Sequence, residues 1–131
     1  TEFWRDSVLR MAPGTYLMAG IAWPRDRLYD RIDRRVLRMV EAGLLAEADD
    51  VRARFAPLST TVRQCIGYRE IWDGRDRGAS EAAIVAQIQL HTRHFARKQG
   101  TWFKRFPEIR WFPAAGRTVE EVVDAVEGFA R

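Results

Sequence analysis

Two strand-like segments stand far apart in this chain, and their separation constrains its fold more than any other feature. Thr15-Tyr-Leu-Met-Ala-Gly-Ile-Ala-Trp23 is a continuous apolar run after the turn signal Pro13-Gly14, the pattern of a strand buried on both faces. Ile109-Arg-Trp-Phe112, held between Pro107 and Pro113, alternates enough to read as a second, short strand. Residues 24–106 between them are dominated by helical spacing. A lone pair of short strands is marginal in water, so the partners of this sheet are expected outside the sequence, before Thr1. A chain that opens on Thr1 rather than Met agrees with a piece of something longer.

The length of 131 residues fits one domain of usual size. Apolar and charged fractions of 47% and 31% exclude a disordered tail, and no apolar run approaches the length of a membrane span. The single cysteine, Cys65, cannot form an internal disulfide, and there is no signal-peptide pattern. A reducing, cytoplasmic setting is the expectation.

Pro24 opens the clearest helix, with Leu28, Ile32, Val36, Met39 and Val40 at helical spacing until Gly43. Leu44, Leu45, Ala48, Val51 and Phe55 predict a second helix, followed by a loop over Ala56–Thr61. A shorter helix is expected from Gln64 to Trp72, then a turn over Asp73-Gly-Arg-Asp-Arg-Gly78. Ser80 followed by Glu81 starts a long helix whose apolar stripe is Ile84, Ile88, Phe95 and Trp102. Phe95 and Trp102 are assigned to the core because they continue that stripe. Thr118-Val-Glu-Glu121 is a capping box, and Val119, Val122, Val123, Val126 and Phe129 give the closing helix an apolar face.

Charge is distributed unevenly. Between Glu81 and Glu108 there is no acidic residue, while Arg93, Arg97, Lys98, Lys104 and Arg105 contribute five positive charges. The net charge is +4, so the rest of the chain is nearly balanced and the basic excess is local. Basic residues interleaved with aromatics suit a polyanion with flat bases, a nucleic acid; the plainer reading is a solvated helix face.

Arg27, Arg31 and Arg35 form a row at steps of four, where like charges repel by about 0.2–0.5 kcal/mol per pair. Arg34 has Asp30 and Arg38 has Glu41 as surface partners, whereas Arg31 and Arg35 have no acid three or four residues away. Two such guanidiniums suit a phosphate or diphosphate, with a tertiary carboxylate or solvent as the alternatives. Arg93 and Arg97 repeat the pattern with Lys98 adjacent, and Thr92 and Gln99 add neutral donors for sugar, phosphate or base edges. Gly100 in mid-helix either admits a close backbone or has no role. His91 and His94 lack further ligands for a metal, so packing or phosphate contact is expected, and Cys65 reads as a small buried thiol. No phosphate-binding glycine loop, nucleophilic triad or general base stands out, so no catalytic residue is assigned.

Four segments in order carry a resemblance: Arg27-Leu-Tyr-Asp-Arg-Ile-Asp-Arg-Arg-Val-Leu-Arg-Met39, Glu41-Ala-Gly-Leu-Leu-Ala-Glu47, Gln64-Cys-Ile-Gly-Tyr-Arg-Glu70 and Thr92-Arg-His-Phe-Ala-Arg-Lys-Gln-Gly-Thr-Trp-Phe103. From about Leu17 to Phe112 the chain resembles the C-terminal half of the tRNA dimethylallyltransferases. It departs from the family in having Arg97-Lys98 for the usual Lys-Arg, and Gly100 for a bulky or polar residue.

The resemblance implies an α/β fold in which a mostly helical segment is inserted between two strands that complete a P-loop-type parallel sheet. Residues 1–23 would belong to the α/β core, 24–106 to a helical tRNA-binding region, and 107–131 to the last strand and closing helix. The family moves a dimethylallyl group from its diphosphate to N6 of the adenosine beside the anticodon, after flipping that adenine out of the stack. By resemblance Arg35 and Arg31 face the diphosphate, Arg63 and Gln64 approach the anticodon loop, and Thr92, Arg93, Arg97, Lys98 and Gln99 grip the RNA. Tyr68 and Trp102 are assigned to packing. Expected partners are the tRNA anticodon stem-loop, dimethylallyl diphosphate and the N-terminal half of the same enzyme, with no membrane. The family's phosphate loop, Mg2+ site and aspartate base lie in that N-terminal half, so the chain alone is expected not to catalyse transfer. The alternative is a free-standing helical RNA-binding module; a helical DNA regulator lacks a recognisable helix-turn-helix.

Overall fold

The computed structural model describes residues 17–130; the Pro13-Gly14 turn, Thr15 and Tyr16 lie outside them. The order is β1 (Ala19–Ala22), α1 (Arg25–Glu41), α2 (Leu44–Phe55), α3 (Thr60–Arg63), α4 (Tyr68–Asp76), α5 (Glu81–Phe103), β2 (Arg110–Pro113) and α6 (Val119–Ala130). The described residues form two compact units, one of the strands, α6 and their flanks, the other of residues 24–102.

In the first unit β1 and β2 run parallel, with Ala19 opposite Arg110 and Ala22 opposite Pro113. The N–H of Arg110 donates to Met18 O at 2.9 Å, and that of Ala114 to Ala22 O at 3.0 Å. Pro113, which has no N–H to give, takes the last position of the strand. The strand therefore sits one residue later than the Ile109–Phe112 expected. Ile109, Phe112 and Ala114 are buried, and the Phe112 ring lies 5.8 Å from that of Phe129 on α6. Thr118 and Glu121 close the expected capping box: Thr118 N–H donates to Glu121 Oε2 at 2.8 Å, and Glu121 N–H to Thr118 Oγ1 at 3.3 Å.

The helical unit is built round Val36, Leu45, Ala48, Ile71, Trp72, Ile84 and Ile88, which come from α1, α2, α4 and α5. Burying the valine, leucine and isoleucines among them yields about 1.5–3 kcal/mol each, and this shared core holds α2 against α4. Trp72 Nε1 donates to Ala48 O at 2.9 Å, so the indole is buried with its polar atom satisfied.

The sequence places one helix over Gln64–Trp72; the structure has two, α3 and α4, separated at residues 64–67. Gly67 has φ +102°, a conformation that side chains with a Cβ rarely adopt, and the helix cannot run through it. The turn expected over residues 73–78 shrinks to its end, because α4 continues to Asp76. Gly74 serves packing instead: a Cβ there would lie 2.4 Å from Ile84 Cγ1, so its absence lets α5 approach α4. Ser80 caps α5, accepting from Ala83 N–H at 3.3 Å, as its sequence position predicts.

Candidate nucleic-acid interface

Arg93 does not stand unpaired. Its Nη1 donates to both carboxylate oxygens of Asp33 on α1, at 2.8 and 2.7 Å, which corrects the expectation of two partnerless arginines on α5. That expectation considered acids within one helical turn, and Asp33 arrives by tertiary packing. Gln89 Nε2 donates to Asp33 O at 3.3 Å, so one residue of α1 is gripped twice by α5.

Thr92 Oγ1 donates to Ile88 O at 2.7 Å, leaving its oxygen able to accept. Arg97, Lys98 and Gln99 are exposed, on a helix with no acid after Glu81. The structure thus keeps the basic end of α5 open but gives its members different roles: Arg93 is anchored, and Arg97 and Lys98 project from the surface. Gly100 has no heavy atom within 4 Å of where a Cβ would stand, so among the described residues no backbone approaches it. Phe95 and Trp102 are 50% and 49% exposed, not core. Both continue the stripe of Ile84 and Ile88, yet burial of that stripe among the described residues stops at Ile88.

Arg31 and Arg35 are exposed on one row of α1. At about 100° per residue, each lies nearly opposite Asp33 on the helix. The contact between α1 and α5 therefore does not bring this pair to Arg93. Arg34 donates through Nε to the Asp30 carbonyl at 3.3 Å and forms no ion pair with its carboxylate, a change from the surface pairing expected. Among the described residues Arg38 and Glu41 form no ion pair either.

Arg63 and Gln64 sit at the exposed end of α3, where Ser59 Oγ caps the helix by accepting from Val62 N–H at 3.4 Å. Arg63 lines a recess of about 220 Å³ with Arg52, Leu58, Arg69, Trp72 and Asp76. Arg52 is committed to Asp76 through two bonds of 2.8 and 3.0 Å, which hold the Asp76 carboxyl below the usual range. Cys65 is exposed, not buried, because it falls in the break between α3 and α4.

Sequence reasoning missed Glu70, which is 4% exposed. Its Oε2 accepts from Gly67 N–H at 2.6 Å. Its Oε1 accepts from Arg69 Nε and Nη2 at 2.9 and 2.6 Å, and lies 2.7 Å from His91 Nδ1 on α5. Burial pushes this carboxyl up, and the bonds from Gly67, His91 and Arg69 outweigh it, holding the group below the usual glutamate range. An ionised carboxylate only accepts, so His91 carries a proton on Nδ1. The 3.3 Å approach of that nitrogen to Arg69 Nη2 sets two donors side by side. The available signal was a glutamate three residues after Gly67, the spacing at which a carboxylate reaches back to a helix-start amide, directly before the apolar pair Ile71-Trp72. Tyr68 packs against the core and against Trp72, and its hydroxyl donates to Glu47, in keeping with a packing role. Its pKa is raised by that bond to Glu47 and by burial.

Among the described residues no three His, Cys, Asp or Glu side chains gather as metal ligands, and no helix is long and apolar enough to cross a membrane.

The family model for IPP transferase matches residues 2–106. A tRNA dimethylallyltransferase of Kineococcus radiotolerans is 41% identical over 104 residues, covering 76% of this chain and 33% of the relative. One from Rhodopirellula baltica is 35% identical over 122 residues, covering 87% and 36%. The crystal structure of a tRNA isopentenylpyrophosphate transferase from Bacillus halodurans superposes with a TM-score of 0.82 at 31% identity, over 93% of this chain and 40% of that one. The corresponding Staphylococcus epidermidis structure gives 0.79 at 28%, over 87% and 37%. The chain belongs to the IPP transferase family and corresponds to the C-terminal part of the enzyme. Its described residues, mostly helical with a two-stranded parallel sheet, have the fold of the P-loop-type tRNA isopentenyltransferases. It spans about a third of the length of the curated relatives.

Proposed function

We propose that this chain supplies the tRNA grip and part of the diphosphate site of a tRNA dimethylallyltransferase acting in the cytoplasm. The observation that carries the reading is the acid-free end of α5, where Arg97, Lys98 and Gln99 are exposed beside Arg93, itself anchored on Asp33. Arg97 and Lys98 neutralise phosphates of the anticodon stem-loop, and Thr92 and Gln99 set its register. Arg93, with Nη1 held by Asp33, keeps its other guanidinium donors for the same backbone. Arg63 and Gln64 meet the anticodon loop from the end of α3.

In the transfer, a bond forms between N6 of the adenosine and the allylic carbon, the carbon–oxygen bond to diphosphate breaks, and N6 loses a proton. Arg35 and Arg31 neutralise the charge that collects on the departing diphosphate. No proton acceptor is assigned in this chain. Among the described residues no carboxylates gather in a way that fits a magnesium site. Such a site is proposed for the N-terminal half of the enzyme, together with the phosphate loop and the base.

A second reading, an RNA-binding module without catalysis, draws on the separate core of residues 24–102. One experiment tests the first reading and separates the second: an anticodon stem-loop is titrated against the chain at several salt concentrations, and prenyl transfer is assayed in a protein of full family length. Salt-sensitive binding with transfer supports the first; binding without transfer supports the second; salt-insensitive or absent binding removes both.

A further inference from the structure

Glu70 joins three things that RNA recognition needs fixed. Through Oε2 it holds the amide of Gly67, the residue whose φ of +102° ends the α3–α4 break. Through Oε1 it holds Arg69, which lines the recess beside Arg63, and His91, which directly precedes Thr92 and Arg93 on α5. Backbone bonds within the break are local: Cys65 N–H donates to Val62 O at 3.2 Å and Arg69 N–H to Cys65 O at 3.0 Å. They shape the turn without tying it to α5. A carboxylate buried at this cost and answered by donors from three directions is worth more as a clamp than as a source of stability.

We propose that Glu70 is a positioning residue, which locks the Gln64–Gly67 connection to α5 and so presets Arg63 and Gln64 for the RNA. The inference rests on the RNA-binding reading of Arg63 and Gln64. A preset loop loses less conformational entropy on binding, so the benefit appears in affinity.

The test is a double-mutant cycle on stem-loop binding by the chain, with amide exchange of the RNA-free protein as a second measurement. Arg63→Ala is expected to weaken binding about tenfold in the parent and less than about twofold in Glu70→Gln, while Arg97→Ala keeps its full effect in both. Simple loss of stability would not distinguish Arg63 from Arg97. Without RNA, Glu70→Gln should speed exchange at residues 64–67 by more than the general acceleration that its lower stability brings to α2. Should Glu70→Gln fail to fold, His91→Ala removes one arm of the clamp from a partly exposed site and should show the same pattern, more weakly. Additive effects at both arginines, or exchange at 64–67 that speeds no more than in α2, overturn the proposal. Faster exchange in Glu70→Gln, together with a parent that binds no RNA, would overturn the RNA reading and, with it, the recognition role, leaving only the clamp.

Discussion

Arg93 on α5 and Asp33 on α1 are joined by a single guanidinium nitrogen 2.8 and 2.7 Å from the two carboxylate oxygens. Both side chains are about two-thirds buried, at 28% and 34% exposure, so the contact belongs to the packing of the two helices as much as to their surface.

Arg93 and Arg97, one helical turn apart, should consequently behave differently. Arg93→Ala is expected to lower the stability of the helical unit by about 1 kcal/mol, read from the midpoint of urea unfolding. Arg97→Ala should stay within about 0.5 kcal/mol of the parent, yet reduce the slope of log affinity against log salt by about one unit on a stem-loop. Equal stabilities for the two variants would show that the Asp33 pair contributes nothing.

Gly74 predicts a steric coupling. Gly74→Ala sets a methyl group 2.4 Å from Ile84 Cγ1, and overpacking of this kind costs about 1–3 kcal/mol. Ile84→Ala alone opens a cavity and costs about 2–5 kcal/mol. The double variant should be more stable than the sum of the two losses allows, because the new methyl occupies space that the isoleucine vacated. Additive thermal shifts would mean that α5 moves away instead.

What the sequence could show and what it could not divide along physical lines. The spans of α1 and α2 and the caps at Ser80 and Thr118 are local properties: periodicity, a hydroxyl three residues before an amide, a glutamate that reaches back. They were legible, as were the two strands, to within a residue or two over the described residues. The break at Gly67 and the packing role of Gly74 depend on which helix lies opposite, and a glycine reads as a turn until its neighbour is known. Phe95 and Trp102 follow the core spacing, but spacing states only which face they occupy and not whether anything covers it. For the candidate interface, the basic stretch was legible as charge, while the partner of Arg93 lay on a helix distant in sequence. Glu70 was hidden for the same reason, since three of its four bonds come from residues 67 and 69 but the fourth comes from His91.

The buried carboxylate also predicts a response to acid. Because the folded pKa of Glu70 lies below its ordinary value, its contribution is fully present above about pH 4.3 and is lost as the pH falls through the folded value. Glu70→Gln should be less stable than the parent near neutrality, by about 3 kcal/mol given the donors left poorly matched. The gap between the two should narrow as the pH is lowered from 5 to 3. Chemical denaturation at several pH values checks this, and a constant difference across the range would show that the ionised form of Glu70 is not what the fold selects.

At the other end of the chain, Thr118→Ala removes the hydroxyl that caps α6 and leaves the Glu121 amide without its partner. The cost should be about 1 kcal/mol, confined to α6. Amide exchange over residues 119–123 should accelerate while Ile71 and Ile84 in the helical core keep their protection. Thr118→Ser, which preserves the oxygen, should stay close to the parent; loss of protection in both variants would mean that the threonine methyl, and not the cap, holds the helix end.

Arg35 offers the sharpest test of the proposed diphosphate contact. It is exposed on α1, and among the described residues its side chain has no hydrogen bond or ion pair. The Asp33–Arg93 contact is nearly on the other side of the helix, so replacing Arg35 should leave the α1–α5 packing intact. If the guanidinium meets the diphosphate, Arg35→Ala in the complete enzyme removes a charge-assisted contact worth about 1.5–3 kcal/mol, a loss of roughly 10- to 100-fold in kcat/KM for the prenyl donor. Binding of the anticodon stem-loop should change by less than about twofold. Arg35→Lys should recover only part of the activity, because a lysine keeps the charge but cannot give two parallel bonds. Steady-state kinetics with each substrate varied in turn, and unfolding of each variant by urea, separate the possibilities. Equal damage to donor and RNA in a variant of parental stability would place Arg35 on the RNA, and equal damage with lowered stability would make it a support for α1.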